Sequence, residues 1–493
     1  MDQQGIPGLS LTVIQQDQED QYAIGWADVE QQVALTPQHR MFSGSIGKTY
    51  FAAQIMLLAA EGKVDLEAKA SEYLGHEKWF KALPNASEMT IRSLLNHTSG
   101  VPEYVYDQNL WKTVKAQPTK VWTAAERLAY ISDQKAHFPT GKGWSYADAN
   151  FIILGAVVEK ITGEKIYDLV QQNILDPLQL RQTEPSIQAQ IANLTAAYTG
   201  NMFGQIFGEK VSNLGQYGFN PQLEWTGGGF VTNSTDLARW VKGLYTSDLL
   251  DPSSKKAVYS PVNRQTGLPN LATGYGLGAE IFATSYGVAY GHSGFMPGFL
   301  SVMAYLPDYE MAVALQVNTD PYSSLVKQRI DVFNLLEEVL PFYINKNVAY
   351  AKKTKIYFVR HAEKADDGTR DPDLNAKGKA RAENLAKVLA DAGIDAIYST
   401  PYKRTMQTGQ PLADALQLEI QSYNPSSNTV IFDIIANNPG ATILVVGHSN
   451  TTPALINQLV KKDQLPQLKE SEYGDLFKVT YKKGKGKLKR KQY

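Results

Sequence analysis

Cysteine is absent from all 493 residues. That excludes disulfide bonds, thiol nucleophiles and Cys-ligated metals, and it leaves the compartment open. Net charge is nearly absent too, at −1, so nothing global points to nucleic acid or an acidic substrate. No apolar run approaches the roughly 20 residues of a membrane span. The opening MDQQGIPGLSLTVIQQ lacks the charged and apolar regions of a signal peptide and enters a strand pattern at Leu9 to Ile14. Internal repeats and long low-complexity segments are missing as well. What is present is an ordinary globular balance, 43% hydrophobic and 20% charged, on a chain too long for one core, so two or three domains are expected.

The pattern along the chain changes once. Residues 9 to 35 read as strands with QQDQED as a turn. KTYFAAQIMLLAAEGK is apolar on nearly all sides and stops at Gly62, which predicts a buried helix. Residues 64 to 225 are rich in helix and loop, strand-like runs return at 274 to 318, and a helix is expected from roughly Ser323 to Leu340. The polar, basic FYINKNVAYAKKTK then reads as a linker. Beyond Lys355, short apolar runs alternate with helical segments, which predicts a mostly parallel sheet covered on both faces. The lysine-rich DLFKVTYKKGKGKLKRKQY is expected to form an edge hairpin with KGKG as its turn.

S-x-x-K occurs four times, at Ser45, Ser132, Ser253 and Ser324. Only Ser45 lies where a loop, MFSGSIGK, runs into a buried helix. The positive helix end there favours a developing oxyanion, and Lys48 lies one turn on, near enough to take a proton. A helix-capping Ser with a solvated Lys would look the same. The later segments LLNHTSGVPEY, GWSYADANFIILGAVVEKITG and YGHSGFMPGF decide the matter. In that order they resemble the serine β-lactamase and penicillin-binding-protein superfamily, closest to its class C-like branch with D-stereospecific peptidases and esterases.

The resemblance covers roughly residues 5 to 340. It implies that Ser45 is the acylated nucleophile, Lys48 its activating partner and Tyr146 the other candidate base. His292, Ser293 and Gly294 stand in the place of K-T-G, and the oxyanion hole falls to the amides of Ser45 and Phe295. Two departures matter. Asp148 replaces the amide of Y-x-N; it can only accept hydrogen bonds and favours a charged Lys48, which shifts the choice of base to Tyr146. His292 replaces a permanent cation, which favours peptidase, amidase or esterase activity over β-lactam hydrolysis. His97 is expected to support structure rather than act as a base, and TGGGF at 226 to 230 lacks the Lys of a P-loop.

In the C-terminal region each apolar run ends in reactive residues. IYFV delivers Arg360 and His361, AIYSTPYKR delivers Arg404, and ILVVGH delivers His448. Parallel strands share one crevice at their C-terminal ends. Two guanidinium groups and two imidazoles there suit a phosphoryl group, and the arginines would repel a metal ion. VRHAEK, LNAKGKARA, IYSTPYKRTMQT and VVGHSNT resemble the histidine phosphatase superfamily, also called phosphoglycerate mutase-like. The resemblance implies that His361 becomes phosphohistidine while Arg360, Arg404 and His448 hold the transferred oxygens. The general acid is left open: Asn424 stands where some small members carry Asp, and Glu363 and Asp366, near His361 in sequence, could substitute, with Glu363 also a candidate substrate contact.

The expected architecture is therefore two domains. An α/β β-lactamase-like domain, an antiparallel sheet flanked by helices with a helical subdomain, spans 1–343. A linker spans 344–354, and a three-layer α/β/α histidine phosphatase fold spans 355–493. The expected function is a bifunctional hydrolase, acting on small-molecule or peptide acyl substrates and on a phosphate monoester or phosphoprotein. The alternative is a penicillin-recognising sensor or weak β-lactamase with a phosphate-binding, non-catalytic C-terminal module. No cofactor, metal, nucleic acid or membrane span is expected. The resemblance implies a trimmed leader and a periplasmic or secreted protein, with the cytoplasm as the alternative.

Overall fold

The computed structural model describes residues 5–15, 18–267, 273–327, 330–344, 353–425, 430–438, 440–460, 464–482 and 485–493. The chain divides into two compact units, Met1–Phe282 with Val288–Val339, and Ala283–Gly287 with Leu340–Tyr493. Of the expected linker at 344–354, residues 345–352 lie outside the described residues.

The first unit is built on an eight-stranded sheet. Gly8–Gln15 pairs on one side with Gln18–Asp28 and on the other with Met311–Val317, so the start and end of the unit meet at mid-sheet. Phe299–Leu306 and Gly287–Met296 continue the antiparallel ladder towards the far edge. Phe299–Leu306 and Met311–Val317 are buried at every position. Both faces are covered, which is why their sequences run apolar without alternation. Of the expected turn at 15–20, Gln15 pairs with Gln18, and residues 16–17 lie outside the described residues.

Helix Lys48–Ala60 buries ten of its residues, and Gly62 beyond it adopts φ +71°. Trp240, on helix Ser234–Thr246, stacks on Tyr50 at 4.4 Å and donates from Nε1 to Thr49 Oγ1 at 2.7 Å. Ser234 Oγ in turn bonds Ser10 Oγ and Thr12 Oγ1, so the sheet fixes that helix and the helix fixes the base of Lys48–Ala60. Short helices from Ala70 to Ile131 form the helical subdomain. The last helix departs from expectation. It runs Val332–Tyr343 rather than from Ser323, because Asp320 ties the Tyr322 amide into a turn and Asp331 accepts from the Phe333 amide to start the helix later.

The second unit has a six-stranded sheet in the order Ile420–Ser422, Ala396–Ser399, Thr442–Gly447, Thr354–Arg360, Asp475–Lys482, Lys485–Gln492. The first three junctions are parallel and the last two antiparallel. Alternate residues of Thr354–Arg360 face opposite layers. Tyr357 and Val359 pack with Leu385, Leu389 and Leu412 of helices Ala376–Leu389 and Lys403–Leu416. Ile356 and Phe358 pack with Ile431, Leu455 and Ile456 of helices Val430–Asn437 and Thr451–Leu459. The result is the expected three-layer arrangement with a mostly parallel sheet. The basic C-terminal stretch is the edge hairpin, with residues 483–484 of its turn outside the described residues.

Candidate active sites

Ser45 lies in the turn Gly44–Gly47 that feeds helix Lys48–Ala60. Three glycines let other backbone close on that turn. A Cβ on Gly44, where φ is +52°, would stand 2.5 Å from the Phe295 nitrogen. One on Gly47 would stand 1.5 Å from the Gly228 oxygen, and one on Gly294 1.9 Å from the Ser43 oxygen. Strand Gly287–Met296 thus lies against the serine turn, and the amides of Ser45 and Phe295 come to neighbouring positions.

Lys48 is fully buried, and its Nζ donates to Ser45 Oγ at 3.0 Å, to Asp148 Oδ1 at 2.5 Å and to the Gly227 carbonyl. Three acceptors match the three N–H groups of an ammonium. Asp148 opens helix Asp148–Thr162, so its carboxylate sits at a positive helix end. Burial, and then the Asp148 charge, push the Tyr146 phenol well above its ordinary value. The Tyr146 hydroxyl has no partner in hydrogen-bond geometry, although Ser45 is near enough to oppose part of that rise. A phenol so disfavoured as phenolate is a poor base.

His292 is buried. Its Nε2 pairs with the Tyr275 hydroxyl at 2.8 Å and its Nδ1 with the Ser293 carbonyl at 2.5 Å, the pattern of a neutral ring donating from Nδ1. Burial lowers its pKa to about 4. The position that could have offered a cation to a substrate carboxylate offers none. His97 bonds Asn150 Nδ2 and the Ala147 amide through Nδ1 and stacks on Tyr146 at 4.3 Å, which makes it a support for the tyrosine.

Ser45, Tyr146, Asp148 and Phe295 line a cavity of about 640 Å³, together with Trp111, Phe203 and Phe219. Two further acids line it that the motifs did not single out, Glu103 and Glu224. Glu103 accepts from the amides of Asp148 and Val105; Glu224 accepts from the Gly229 amide at 2.9 Å. Burial first, and the Asp148 charge second, raise both carboxyls to about 8. Their only sequence signal is position: Glu103 ends LNHTSGVPE and Glu224 precedes TGGGF. No lining residue is Lys or Arg.

The second cluster stands at the C-terminal ends of the parallel strands. The His361 amide donates to the Gly447 carbonyl at 2.9 Å, and the rings of His361 and His448 lie 5.4 Å apart. His361 Nδ1 pairs with the Ala362 carbonyl at 2.8 Å, which leaves the Nε2 lone pair free to attack. Burial lowers both His361 and His448 to about 4, and the charges of Arg360 and Arg404 act on both rings in the same direction. His448 Nε2 meets Thr400 Oγ1 at 2.9 Å. Arg404, on helix Lys403–Leu416, makes a 3.4 Å contact with Asp371 Oδ1.

Two expected residues are differently engaged. Glu363 is paired with Arg381 at 2.7 and 2.8 Å, and that pairing holds its carboxyl below the ordinary range, so it is neither an acid nor a free substrate contact. Arg360 donates from Nη1 to the carbonyls of Lys469, Glu470 and Glu472, and from Nη2 to Glu470 Oε2 at 2.8 Å. Among the described residues no cluster of three or more His, Asp or Glu could hold a metal ion, and no helix is long and apolar enough to cross a membrane.

The family model described as beta-lactamase matches residues 1–335, and that of the histidine phosphatase superfamily (branch 1) matches residues 356–424. Penicillin-binding protein 4* of Bacillus subtilis is 23% identical over 61% of this chain and 65% of its own length. A D-aminopeptidase of Brucella anthropi is 24% identical over 56% of this chain and 49% of its own length. The chain thus spans less than two thirds of these curated relatives. A D-stereospecific amidohydrolase from Streptomyces sp. superposes with a TM-score of 0.56 at 26% identity, covering 64% of this chain and 90% of its own. A D-amino acid amidase from Ochrobactrum anthropi SV3 gives 0.58 at 21% identity, covering 69% of this chain and 94% of its own, a likeness of fold.

Proposed function

Because the chain belongs to the beta-lactamase family of serine hydrolases, we propose that its first unit hydrolyses amides or short peptides of D-amino acids that carry a free α-amine. The observation that carries this reading is the cavity beside Ser45. It holds three carboxyl groups, Glu103, Asp148 and Glu224, and no Lys or Arg among its lining residues. An ammonium entering it meets acceptors, whereas a carboxylate meets none of the cations it needs. The aromatic wall suits a bulky apolar side chain. The relatives named D-aminopeptidase and D-stereospecific amidohydrolase support the choice of substrate and hand.

In the proposed reaction Ser45 Oγ attacks the acyl carbon while Lys48 takes its proton and passes one to Asp148 Oδ1. The developing oxyanion is received by the amides of Ser45 and Phe295. Collapse of the tetrahedral intermediate breaks the C–N bond, and the proton held on Asp148 returns through Lys48 to the departing nitrogen. Water then attacks the acyl carbon, giving a proton along the same path, and the ester C–O bond breaks as Ser45 Oγ is reprotonated. The second unit is proposed to hydrolyse phosphate monoesters through phosphohistidine at His361, supported by the family match, the free Nε2 and the neutral ring.

The test is a panel on the full chain: D- and L-phenylalaninamide, N-acetyl-D-phenylalaninamide, a chromogenic β-lactam and an aryl phosphate. D-phenylalaninamide should be the best acyl substrate, and Ser45→Ala should abolish its turnover. Preference for the acetylated amide, or turnover that survives Ser45→Ala, would reject the reading. A stable Ser45 adduct with the β-lactam and no turnover of any amide would favour a sensor instead.

A further inference from the structure

The phosphate site lacks an obvious proton carrier. Glu363 is bound by Arg381. Besides Asp371 on Arg404, a carboxylate reaches Arg360 in the cluster, from a segment far along the chain that no motif marked. The stretch Lys469–Tyr473 lies over Arg360: three of its carbonyls take Nη1, and the Tyr473 ring stacks on the guanidinium at 4.3 Å and faces His361 at 6.2 Å. Glu470 bridges the two histidine-bearing strand ends. Its Oε2 accepts from Arg360 Nη2 at 2.8 Å, and its Oε1 accepts from Ser449 Oγ at 3.1 Å, next to His448. Arg360 Nε is buried with no partner. The guanidinium therefore has one donor unused and one lent to a carboxylate, the edge on which a phosphate would sit.

On the reading of His361 as the phospho-acceptor, we propose that Glu470 is the catalytic proton carrier of this site, held on Arg360 at rest and replaced there by the substrate phosphate. The exchange prepares the acid. Burial acts to raise the Glu470 carboxyl, but the charge of Arg360 and the Ser449 hydroxyl hold it below its ordinary range. Substrate takes Arg360 away and sets a dianion beside the carboxylate, and both changes favour the protonated form. In the first half-reaction His361 Nε2 forms the N–P bond, the P–O bond to the leaving group breaks, and Glu470 gives its proton to that oxygen. In the second, water attacks phosphorus, the N–P pair returns to His361, and Glu470 takes the water proton. The sum is ester and water to alcohol and phosphate. As phosphate leaves, the proton is released and the carboxylate returns to Arg360.

The experiment compares wild type with Glu470→Gln in the full chain, on an alkyl phosphate and on 2,4-dinitrophenyl phosphate, with inorganic phosphate binding measured by calorimetry. The side chain is 74% exposed, so the substitution does not threaten folding. General acid catalysis contributes roughly 10²–10⁴-fold. Glu470→Gln should therefore lower kcat/KM, which reports the phosphorylation step alone, on the alkyl ester by about 10²-fold or more and change it on the dinitrophenyl ester only a few-fold, because that leaving group needs no proton. Phosphate should bind at least as tightly as in wild type, since Arg360 is freed. An equal loss of kcat/KM on both esters, or weaker phosphate binding, would make Glu470 a brace for Arg360 and overturn the proposal. Unchanged kinetics would overturn it too. A wild type that neither turns over phosphate esters nor forms phosphohistidine would instead reject the phosphatase reading on which it rests.

Discussion

At the scale of the residue, the first site turns on one ion pair, Lys48 with Asp148 at 2.5 Å. A carboxylate there gives an acceptor where an amide would give a donor, and in the proposed relay it receives the proton that Lys48 passes on. Asp148→Asn should therefore lower kcat/KM on N-acetylated amides and on the β-lactam by roughly 10²-fold or more, the usual worth of a proton-transfer group. Free-amine substrates should lose more, because the cavity also loses one of its carboxyls. Steady-state kinetics with equal values on all three classes for both proteins would show that Asp148 does not touch the chemistry. The serine, lysine and histidines of both clusters were legible because each sits at a fixed offset from an apolar run. Glu103, Glu224 and Glu470 were not, because their place depends on loops that approach from elsewhere in the fold.

Elements were legible where burial is complete. KTYFAAQIMLLAA is apolar all round because helix Lys48–Ala60 is enclosed all round, and Gly62 marks its end by a positive φ that other residues resist. Periodicity was blind between Ser323 and Val332, where hydrogen bonds from Asp320 and Asp331 decide the start of the helix. It was blind also to close approaches between elements. The Gly294 position shows the consequence: a Cβ there would meet the Ser43 oxygen at 1.9 Å and the Ser45 nitrogen at 3.3 Å. Because backbone cannot yield as a side-chain end can, Gly294→Ala should push strand Gly287–Met296 off the serine turn and part the two oxyanion amides. Loss of one such donor costs roughly 10²–10³ in kcat. Amide hydrolysis should fall by about that factor with the far-ultraviolet circular dichroism unchanged. Wild-type kcat in the folded variant would show that the strand does not set the hole.

At the scale of the molecule, each unit closes its own core. The residues of the first, from Ile14 to Ala314, and those of the second, from Ile356 to Tyr481 and Tyr357 to Leu476, form separate hydrophobic clusters. The change of pattern near Lys355, to short apolar runs alternating with helical segments, reflects the parallel sheet of the second unit, whose neighbouring parallel strands need crossover helices between them. Net charge gave no such hint. A total of −1 averages over an edge strand whose exposed Lys487, Lys489 and Lys491 protect it from pairing with another chain. Each site is also complete within its own unit: Ser45, Lys48 and Asp148 lie in one, His361, Arg404 and His448 in the other. Substitutions at separate sites that share no partner add within about 0.3–0.5 kcal/mol, or about twofold in rate. His361→Ala should therefore abolish aryl-phosphate hydrolysis and leave D-phenylalaninamide hydrolysis within about twofold, and Ser45→Ala should do the reverse. Acid-labile phosphate trapped on wild type but not on His361→Ala would identify the intermediate. Loss of amidase activity in a folded His361→Ala protein would mean that the two units exchange free energy, and each site would then have to be understood as half of a coupled pair.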